Sequence, residues 1–477
     1  VFPVVSSLYA QWRARCGVLP ILHDDDQYPP EALLQSVWQH QRLQRDRLKT
    51  LDGRPVRILH PGFRSAEGGP DFRGAVVQWP DSPIQTGDIE VDLRPSGWHA
   101  HGHDRNPAFR NVILHVIWEA ERPQAGAPPL LPLAQVLDAP PGELSLWLGG
   151  ESADGLSDEW RGQCCAPLRN LAADKLQALL HQAAQVRLRS KAAQFQARAR
   201  QAGWDQALWE GLFRALGYKH NPWPFQRLAE LRSQWLPANP APATLQARLL
   251  GLSGLLPAEL PRTEATADAY LRKLWDQWWR ERESFADLIL PRDLWRLHGI
   301  RPANHPQRRL ALAAHWAARN DLPQKLERWC ADASPSAVQP GALMEIFQVA
   351  HDDFWSWHCT FRSARLKREQ PLLGAGRASD LAVNVVLPWL WSRAVEGKNP
   401  ATQAALERRY FAWPAAEDNA VLKLARDRIL GGASRRALPD AAAQQGLMQI
   451  VRDFCQHTNA LCHDCKLPGL AREFSNG

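Results

Sequence analysis

The chain has 477 residues, room for two or three domains at about 150 residues each. Its 45% hydrophobic and 22% charged content is that of a globular protein with a core, and excludes a disordered or fibrous chain. The net charge of +7, with a pI near 9.1, is compatible with an anionic partner such as nucleic acid, but spread over this length it decides little.

Val1 to Trp12 carry neither the basic start nor the small-residue cleavage site of a secretory leader, and no uncharged apolar run reaches the about 18 residues a bilayer requires. The eight cysteines form no disulfide-like framework. A soluble, cytoplasmic protein with no membrane partner is expected. Tyr28 to Leu51 reads as one helix entered through Pro29-Pro30, with Leu33, Leu34, Val37 and Trp38 on one face. Asp52-Gly53 turns the chain into a short strand, Val56 to Leu59, followed by His60-Pro61-Gly62 and the bend Gly68-Gly69-Pro70. Strands over Phe72–Trp79 and Asp88–Leu93 are separated by the turn residues Pro80 to Pro83. A polar loop, Arg94 to Asn111, leads to the apolar run Val112–Trp118, which predicts a central strand buried on both faces. A further strand is expected over Leu131–Leu137.

Beyond a boundary near Cys165 the pattern is helical. Leu176, Leu179, Leu180, Ala183 and Val186 recur at helical spacing, and similar stretches cover Leu271–Phe285, Arg308–Arg319, Leu381–Arg393 and Leu422–Leu430. The expected class is therefore α+β: a mixed α/β sheet domain over residues 1–165, a helical domain over 166–440, and a helix with a Cys-rich knuckle over 441–477.

Chemistry concentrates in the sheet domain. Asp88-Ile89-Glu90-Val91-Asp92-Leu93 alternates strictly, so Asp88, Glu90 and Asp92 share one face of a strand. A hairpin turning near Ser82 would bring Asp71 opposite or close to Asp92, with Glu90 diagonal. Clustered carboxylates repel unless a cation lies between them, and hard divalent cations take carboxylate oxygens; the alternative is a solvated sheet face whose acids are simply wet. Trp98-His99-Ala100-His101-Gly102-His103 adds imidazoles, which serve as bases near neutral pH or as metal ligands. His115, inside an apolar strand, reads as a core histidine.

Pro70-Asp71 with Glu90-Val91-Asp92 resembles the PD-(D/E)xK nuclease arrangement, an acid at one strand end and acid-x-lysine on its neighbour; here Asp92 stands at the lysine position. With Trp98-His99-Ala100-His101 the stretch is similar to very-short-patch mismatch endonucleases, a variant of that fold that uses histidine in place of the lysine. The resemblance implies Mg or Mn at Asp71 and Glu90, assistance from Asp92, and His101 or His103 as base or leaving-group acid. More widely, the chain resembles the uncharacterised bacterial domain-of-unknown-function family 2851. The segments that carry this are His60-Pro61-Gly62, Gly69–Phe72, Gly87–Val91, Trp98–His103, Val112–Val116, Arg187–Lys191, Leu216–Asn221, Arg301–Pro306, Asn384–Pro388 and the closing cysteines.

Cys455, Cys462 and Cys465 form Cys-x6-Cys-x2-Cys, a spacing that suits structural zinc or an iron–sulfur cluster. It is similar to the first three cysteines of the iron–sulfur loop in endonuclease-three-class glycosylases. The fourth cysteine is absent, which leaves His457, His463 or a distant Cys165 or Cys359. Arg187, Arg189, Lys191, Arg198 and Arg200 on one helix, and Arg362, Arg365, Lys367 and Arg368 in a second cluster, could track a phosphate backbone or be solvated faces. Arg301–Asn304 with Arg308-Arg309 reads as a buried turn. No Walker or Rossmann glycine signature is present, so no nucleotide cofactor is expected. The leading expectation is a metal-dependent nucleic-acid-processing protein. An inactive binding or assembly protein on the same fold, and a metallohydrolase of another substrate, are the alternatives.

Overall fold

In the computed structural model, residues 7–15, 29–65, 69–80, 82–119, 126–148, 166–257, 259–260, 266–319, 321–332, 340–416, 420–432, 437–456 and 465–476 are described. The chain is mixed α+β and divides into two compact units, one of residues 1–163 with 450–477 and one of residues 164–449.

The first unit is built on a mixed sheet. Helices α1 (Leu8–Arg15) and α2 (Glu31–Gln39) precede strands β1 (Arg57–His60), β2 (Phe63–Arg64), β3 (Phe72–Gln78) and β4 (Gln85–Asp92). The short helix α3 (Gly97–Ala100) then leads to β5 (Val112–Ile117), β6 (Leu130–Pro132) and helix α4 (Pro141–Leu148). The order is β1-β3-β4-β5-β6, with β2 also paired to β3. β1, β3 and β4 run antiparallel, and β4, β5 and β6 are parallel. β5 is central and its last four residues are buried, as its apolar run predicts.

The predicted helix to Leu51 stops at Gln39. Gln41 adopts a left-handed φ of 49°, and the chain leaves the helix to make the bridges Leu43↔Leu137 and Lys49↔Pro55. Leu43 and Leu48 thereby reach the core, which a continued helix would deny one of them. The strand expected over Leu131–Leu137 is shorter, Leu130–Pro132, because the chain turns just after it, with Val136 N donating to Leu133 O at 3.0 Å. At the other end of the chain, Tyr9 donates its hydroxyl proton to Asp453 at 2.7 Å and Arg13 pairs with the same carboxylate at 2.9 Å, tying α1 to the C-terminal segment.

The second unit opens with α5 (Ala173–Ala202), α6 (Trp204–Leu216), α7 (Pro222–Glu230), α8 (Arg232–Trp235), α9 (Pro242–Leu252), α10 (Thr266–Glu281) and α11 (Pro306–Ala318). The helix predicted over Leu381–Arg393 is interrupted by a wide turn at Ala382–Val386. Pro388 supplies no amide and its ring crowds the carbonyl of Asn384, so the preceding turn widens. The Arg308-Arg309 pair is buried, as expected, but its partners are mostly carbonyls. Arg308 donates to Trp355 O at 2.9 Å, Gln370 O at 3.0 Å and Pro371 O at 3.1 Å, and Arg309 to Asn304 Oδ1 at 2.8 Å. No helix among the described residues is long and apolar enough to cross a membrane.

Candidate functional site

The alternation of β4 holds, but its acidic face is not wet. Ile89 and Val91 are buried on one side, and Glu90 and Asp92 are buried on the other at 6% and 3% exposure. What covers them is α2 and the segment after β4. Phe72 pairs with Ile89, which sets Asp71 beside Glu90 and corrects the expected pairing with Asp92. Asp71 N donates to Glu90 Oε2 at 3.2 Å, and Val91 N donates to Asp71 Oδ2 at 3.1 Å, so the two carboxylates are interlocked through the backbone. Asp88 stands apart, accepting from Gly74 N at 3.1 Å in the irregular stretch of β3.

The polar segment after β4 is not a plain loop. It coils into α3, and Gly97 there passes so close to β4 that a Cβ would come within 2.6 Å of Asp92 Cγ and Oδ1. That approach drops Trp98 into the core and brings two histidines over the acids. His103 Nδ1 lies 3.2 Å from Glu90 Oε1, and His101 Nδ1 lies 3.5 Å from Asp92 Oδ1. His103 is 8% exposed, packs on Phe109 with ring centroids 3.9 Å apart, and its Nδ1 is not aligned with Glu90 for a hydrogen bond. His99 turns away to Asp104 at 3.3 Å.

Sequence reasoning missed four contributors, His115, Glu31, Gln35 and Arg64. His115, fully buried beside Glu90 in the parallel β4/β5 register, sets its Nε2 2.9 Å from Asp92 Oδ2, and its Nδ1 is buried without a hydrogen-bond partner. From the first turns of α2, Gln35 Nε2 donates to Asp71 Oδ1 at 3.0 Å and to Glu31 Oε1 at 3.1 Å. Arg64 of β2 reaches the group through Gln35, donating to its Oε1 at 2.7 Å. The i, i+4 spacing of Glu31 and Gln35 was a visible signal that they share a face.

The electrostatics follow from burying acids together. Asp71 is pushed up to about 6, chiefly by burial, with the Val91 amide opposing and Glu31 and Asp92 adding. Glu90 is pushed up to about 9 by burial and then by Asp71 and Asp92. Burial also holds His103 below its ordinary range. The site is thus short of positive charge, and Glu90 meets that shortage by keeping its proton near neutral pH.

The donors suit a hard cation, since carboxylates lie within reach of one another beside a buried imidazole whose Nδ1 lacks a hydrogen-bond partner. As they stand, however, no three His, Cys, Asp or Glu side chains among the described residues are arranged as a ligand set. Asp71 spends both oxygens on Val91 and Gln35.

Of the cysteine cluster, Cys455 and Cys465 are half-buried, while Cys462, His457, His463 and Cys165 lie outside the described residues. Of the basic positions of α5, Arg187 and Arg198 bond to side chains of the second unit, and Arg200 is exposed. Arg198 forks onto Glu210 at 2.7 and 2.8 Å, Arg187 donates to Gln445 at 2.6 Å, and Arg189 and Lys191 are half-buried. Arg362, Arg365, Lys367 and Arg368 are exposed.

A family profile described as a protein of unknown function, DUF2851, matches residues 31–419. The chain belongs to this family. No curated protein and no solved structure matched it. The DUF2851 span contains every member of the acid–histidine cluster, from Glu31 to His115, and ends before Cys455.

Proposed function

We propose that this DUF2851 protein is a divalent-cation-dependent hydrolase of nucleic acid, of the divergent PD-(D/E)xK type. The observation that carries the proposal is the convergence of Asp71, Glu90, Asp92, His101 and His103 from two neighbouring strands and the following segment. An acid at the start of one strand beside an acid on the next is the part of the nuclease pattern this chain keeps; Asp92 departs from it by standing at the lysine position. A Mg or Mn ion held by Asp71 and Glu90 would polarise a phosphodiester and supply an activated water. His101, exposed and with its Nδ1 3.5 Å from Asp92 Oδ1, would take the proton from an attacking water. Asp92 is itself anchored by His115, so the base rests on a buried support. His103, kept neutral by burial, is suited to accept or return a proton rather than to pair with phosphate.

The test is a cleavage screen of single- and double-stranded DNA and RNA with Mg²⁺ or Mn²⁺. Chelator-sensitive products, absent with Asp71→Ala and Glu90→Gln, are expected. No product on any substrate sinks the hydrolase. In that event salt-sensitive binding would select the inactive binding protein, and turnover confined to small phosphoesters would select a metallohydrolase of another substrate. As a separate part of the reading, Cys455, Cys462 and Cys465 hold a structural zinc or iron–sulfur cluster, which elemental analysis and a visible spectrum decide.

A further inference from the structure

The turn His60-Pro61-Gly62-Phe63, which joins β1 to β2, supplies no member of the acid–histidine cluster, yet several independent tethers hold it. Trp38 of α2 donates its indole N–H to Pro61 O at 2.9 Å. Gly62 N donates to His60 Nδ1 at 3.0 Å, which requires a free lone pair on that nitrogen. Burial supplies the neutral ring by pushing His60 down to about 4. Gly62 has a φ of 91°, and a Cβ there would lie 3.0 Å from Phe72 Cβ and 3.2 Å from Arg73 O. His60, Pro61 and Gly62 are all buried; Phe63, which they deliver, is 53% exposed. Its one ring neighbour among the described residues is His60, with centroids 4.7 Å apart and planes tilted at 45°, so a face of the phenyl ring stays open.

The register of β2 sets this ring beside the acids. Phe63 pairs with Arg73 on β3, and Ser65 N donates to Asp71 O at 2.7 Å, continuing the ladder by two positions. The strand period therefore places Phe63, Arg73 and Asp71 on one face, with Phe63 about 6.6 Å along the strand from the Asp71 position. Arg73 is exposed, and its guanidinium lies over the Gly69 backbone, where a Cβ would meet Nη2 at 2.9 Å and Ala108 Cβ at 3.8 Å. Ala108 belongs to the segment that carries His101 and His103, so this face is the one the acids share. Arg64 is exposed next to Phe63, and its Nη2, bonded to Gln35 Oε1 at 2.7 Å, is held one side chain from Asp71. The acids close by are accounted for: Glu31 and Asp71 belong to the proposed cation site, and Asp88 accepts from Gly74 N.

We propose that Phe63 is a specificity residue of the proposed hydrolase, stacking on an unpaired nucleobase beside the phosphodiester at Asp71 and Glu90 while Arg64 holds a neighbouring phosphate. A single open ring next to exposed guanidiniums suits a nucleotide, whose base offers a flat face and whose phosphate takes the cation. A protein partner would call for a cluster of apolar anchors. The other exposed large apolar side chains among the described residues are Ile84, at the opposite end of β3, and Trp279 and Ile289 of the second unit. A base stacked inside a duplex has no face to give, so Phe63 selects a nucleotide that is out of the stack. The inference rests on the nucleic-acid reading for the reaction and adds the base contact and strand form that the reading leaves open.

The experiment uses the full chain carrying Glu90→Gln to prevent turnover, with fluorescein-labelled oligo-dT, oligo-U and a duplex, read by anisotropy across a salt series. An abasic residue is then moved along the single strand one position at a time. With Phe63 in place, single strands are expected to bind more tightly than the duplex and to lose about tenfold when the abasic residue reaches one position. Phe63→Ala should lose the same about tenfold on the intact strand and be indifferent to the abasic residue, because the contact is already gone. Phe63→Trp, which keeps a stacking ring, should retain the affinity; Phe63→Leu, which keeps apolar bulk without a ring, should not. Arg64→Gln should flatten the plot of log K against log salt by about 0.7, the share of one phosphate. Equal or tighter duplex binding, full affinity in Phe63→Ala or Phe63→Leu, no sensitive abasic position, an unchanged slope in Arg64→Gln, or no binding at all overturns the proposal. If the chain with Glu90 restored cleaves nothing while the abasic scan still finds Phe63, the hydrolase fails and the base contact stands. Cleavage indifferent to Phe63→Ala does the reverse.

Discussion

Replacing Glu90 by Gln removes a carboxyl whose ordinary value near 4.5 is pushed up to about 9 by burial and by Asp71 and Asp92. The imidazole facing it is shifted the opposite way, downward by burial, so both partners favour the same uncharged pair. A raised carboxyl value means that the folded chain keeps a proton the unfolded chain has released. The stability this group contributes is therefore full below about 4.5 and is lost as pH rises toward about 9. Asp71, pushed up only to about 6, and His103, lowered from 6.5, have finished titrating by about pH 7, which leaves Glu90 as the raised acid of this cluster that still titrates above it. One proton of difference is worth about 1.4 kcal/mol per pH unit, so wild type should lose about 2 kcal/mol between about pH 7 and about pH 8.5 without metal. Glu90→Gln, close in shape to the protonated acid, should match wild type at the lower pH and show no such slope. Mn²⁺ should restore the wild-type loss, because a cation replaces the proton, and should leave the variant unmoved. Urea unfolding at stepped pH, with hydrogen exchange of the β4 amides as the local readout, measures both. Parallel slopes, or a variant already weakened by more than about 2 kcal/mol at neutral pH, would show Glu90 ionised and paired with a cationic His103, and the reasoning would fail.

Three further outcomes are expected. Gly97→Ala changes no titratable group but places a methyl 2.6 Å from Asp92 Oδ1. It should cost about 1–3 kcal/mol in urea and displace the Asp92 carboxylate from His115, and unchanged stability would mean that Asp92 has room to move. Arg308→Met leaves the Trp355, Gln370 and Pro371 carbonyls without their donor. A loss of about 3 kcal/mol with faster exchange through 358–370 is expected, and native exchange rates there would contradict it. Zinc or iron in the purified chain should fall when Cys455 is changed to Ser; metal content indifferent to that change would remove Cys455 from the ligand set.

How far the sequence could be read depended on how local the determining force was. The alternation at Asp88–Leu93 and the apolar run at Val112–Trp118 are read directly because a strand exposes its period in its own residues. β3, β4 and β5 lie where that reading puts them, within a residue or a few. The burial of Glu90 and Asp92 was not legible, because alternation says which residues share a face and nothing about what covers it. The cover is a four-residue helix, too short to nucleate on sequence pattern alone, admitted by the missing side chain of Gly97. Glu31 looks like an ordinary acid in the first turn of a helix. Only the tertiary pairing of Gln35 with Asp71, across 36 residues, gives it a place beside the cluster. The basic face of α5 shows what residue type leaves open: the sequence presents Arg198 and Arg187 as cations on one helix, and only the fold shows Glu210 and Gln445 beside them.

Asp92 gives the site its distinctive burden. In the arrangement the sequence resembles, a lysine at that position would bring a positive charge against the acids; here the position adds another carboxylate, held by His115 and His101. Arg64 does not make up the difference, because its guanidinium bonds to Gln35 and meets Asp71 only at one remove. Four acids, Glu31, Asp71, Glu90 and Asp92, thus depend on three imidazoles and on protons for balance. Burial disfavours a charged His103, so the remaining deficit falls on Glu90, the acid most raised. A site built this way favours uptake of a proton or a cation at Glu90 near neutral pH. Uptake of a cation, unlike uptake of a proton, would leave Glu90 ionised beside Asp71, which at about 6 has already released its proton by neutral pH.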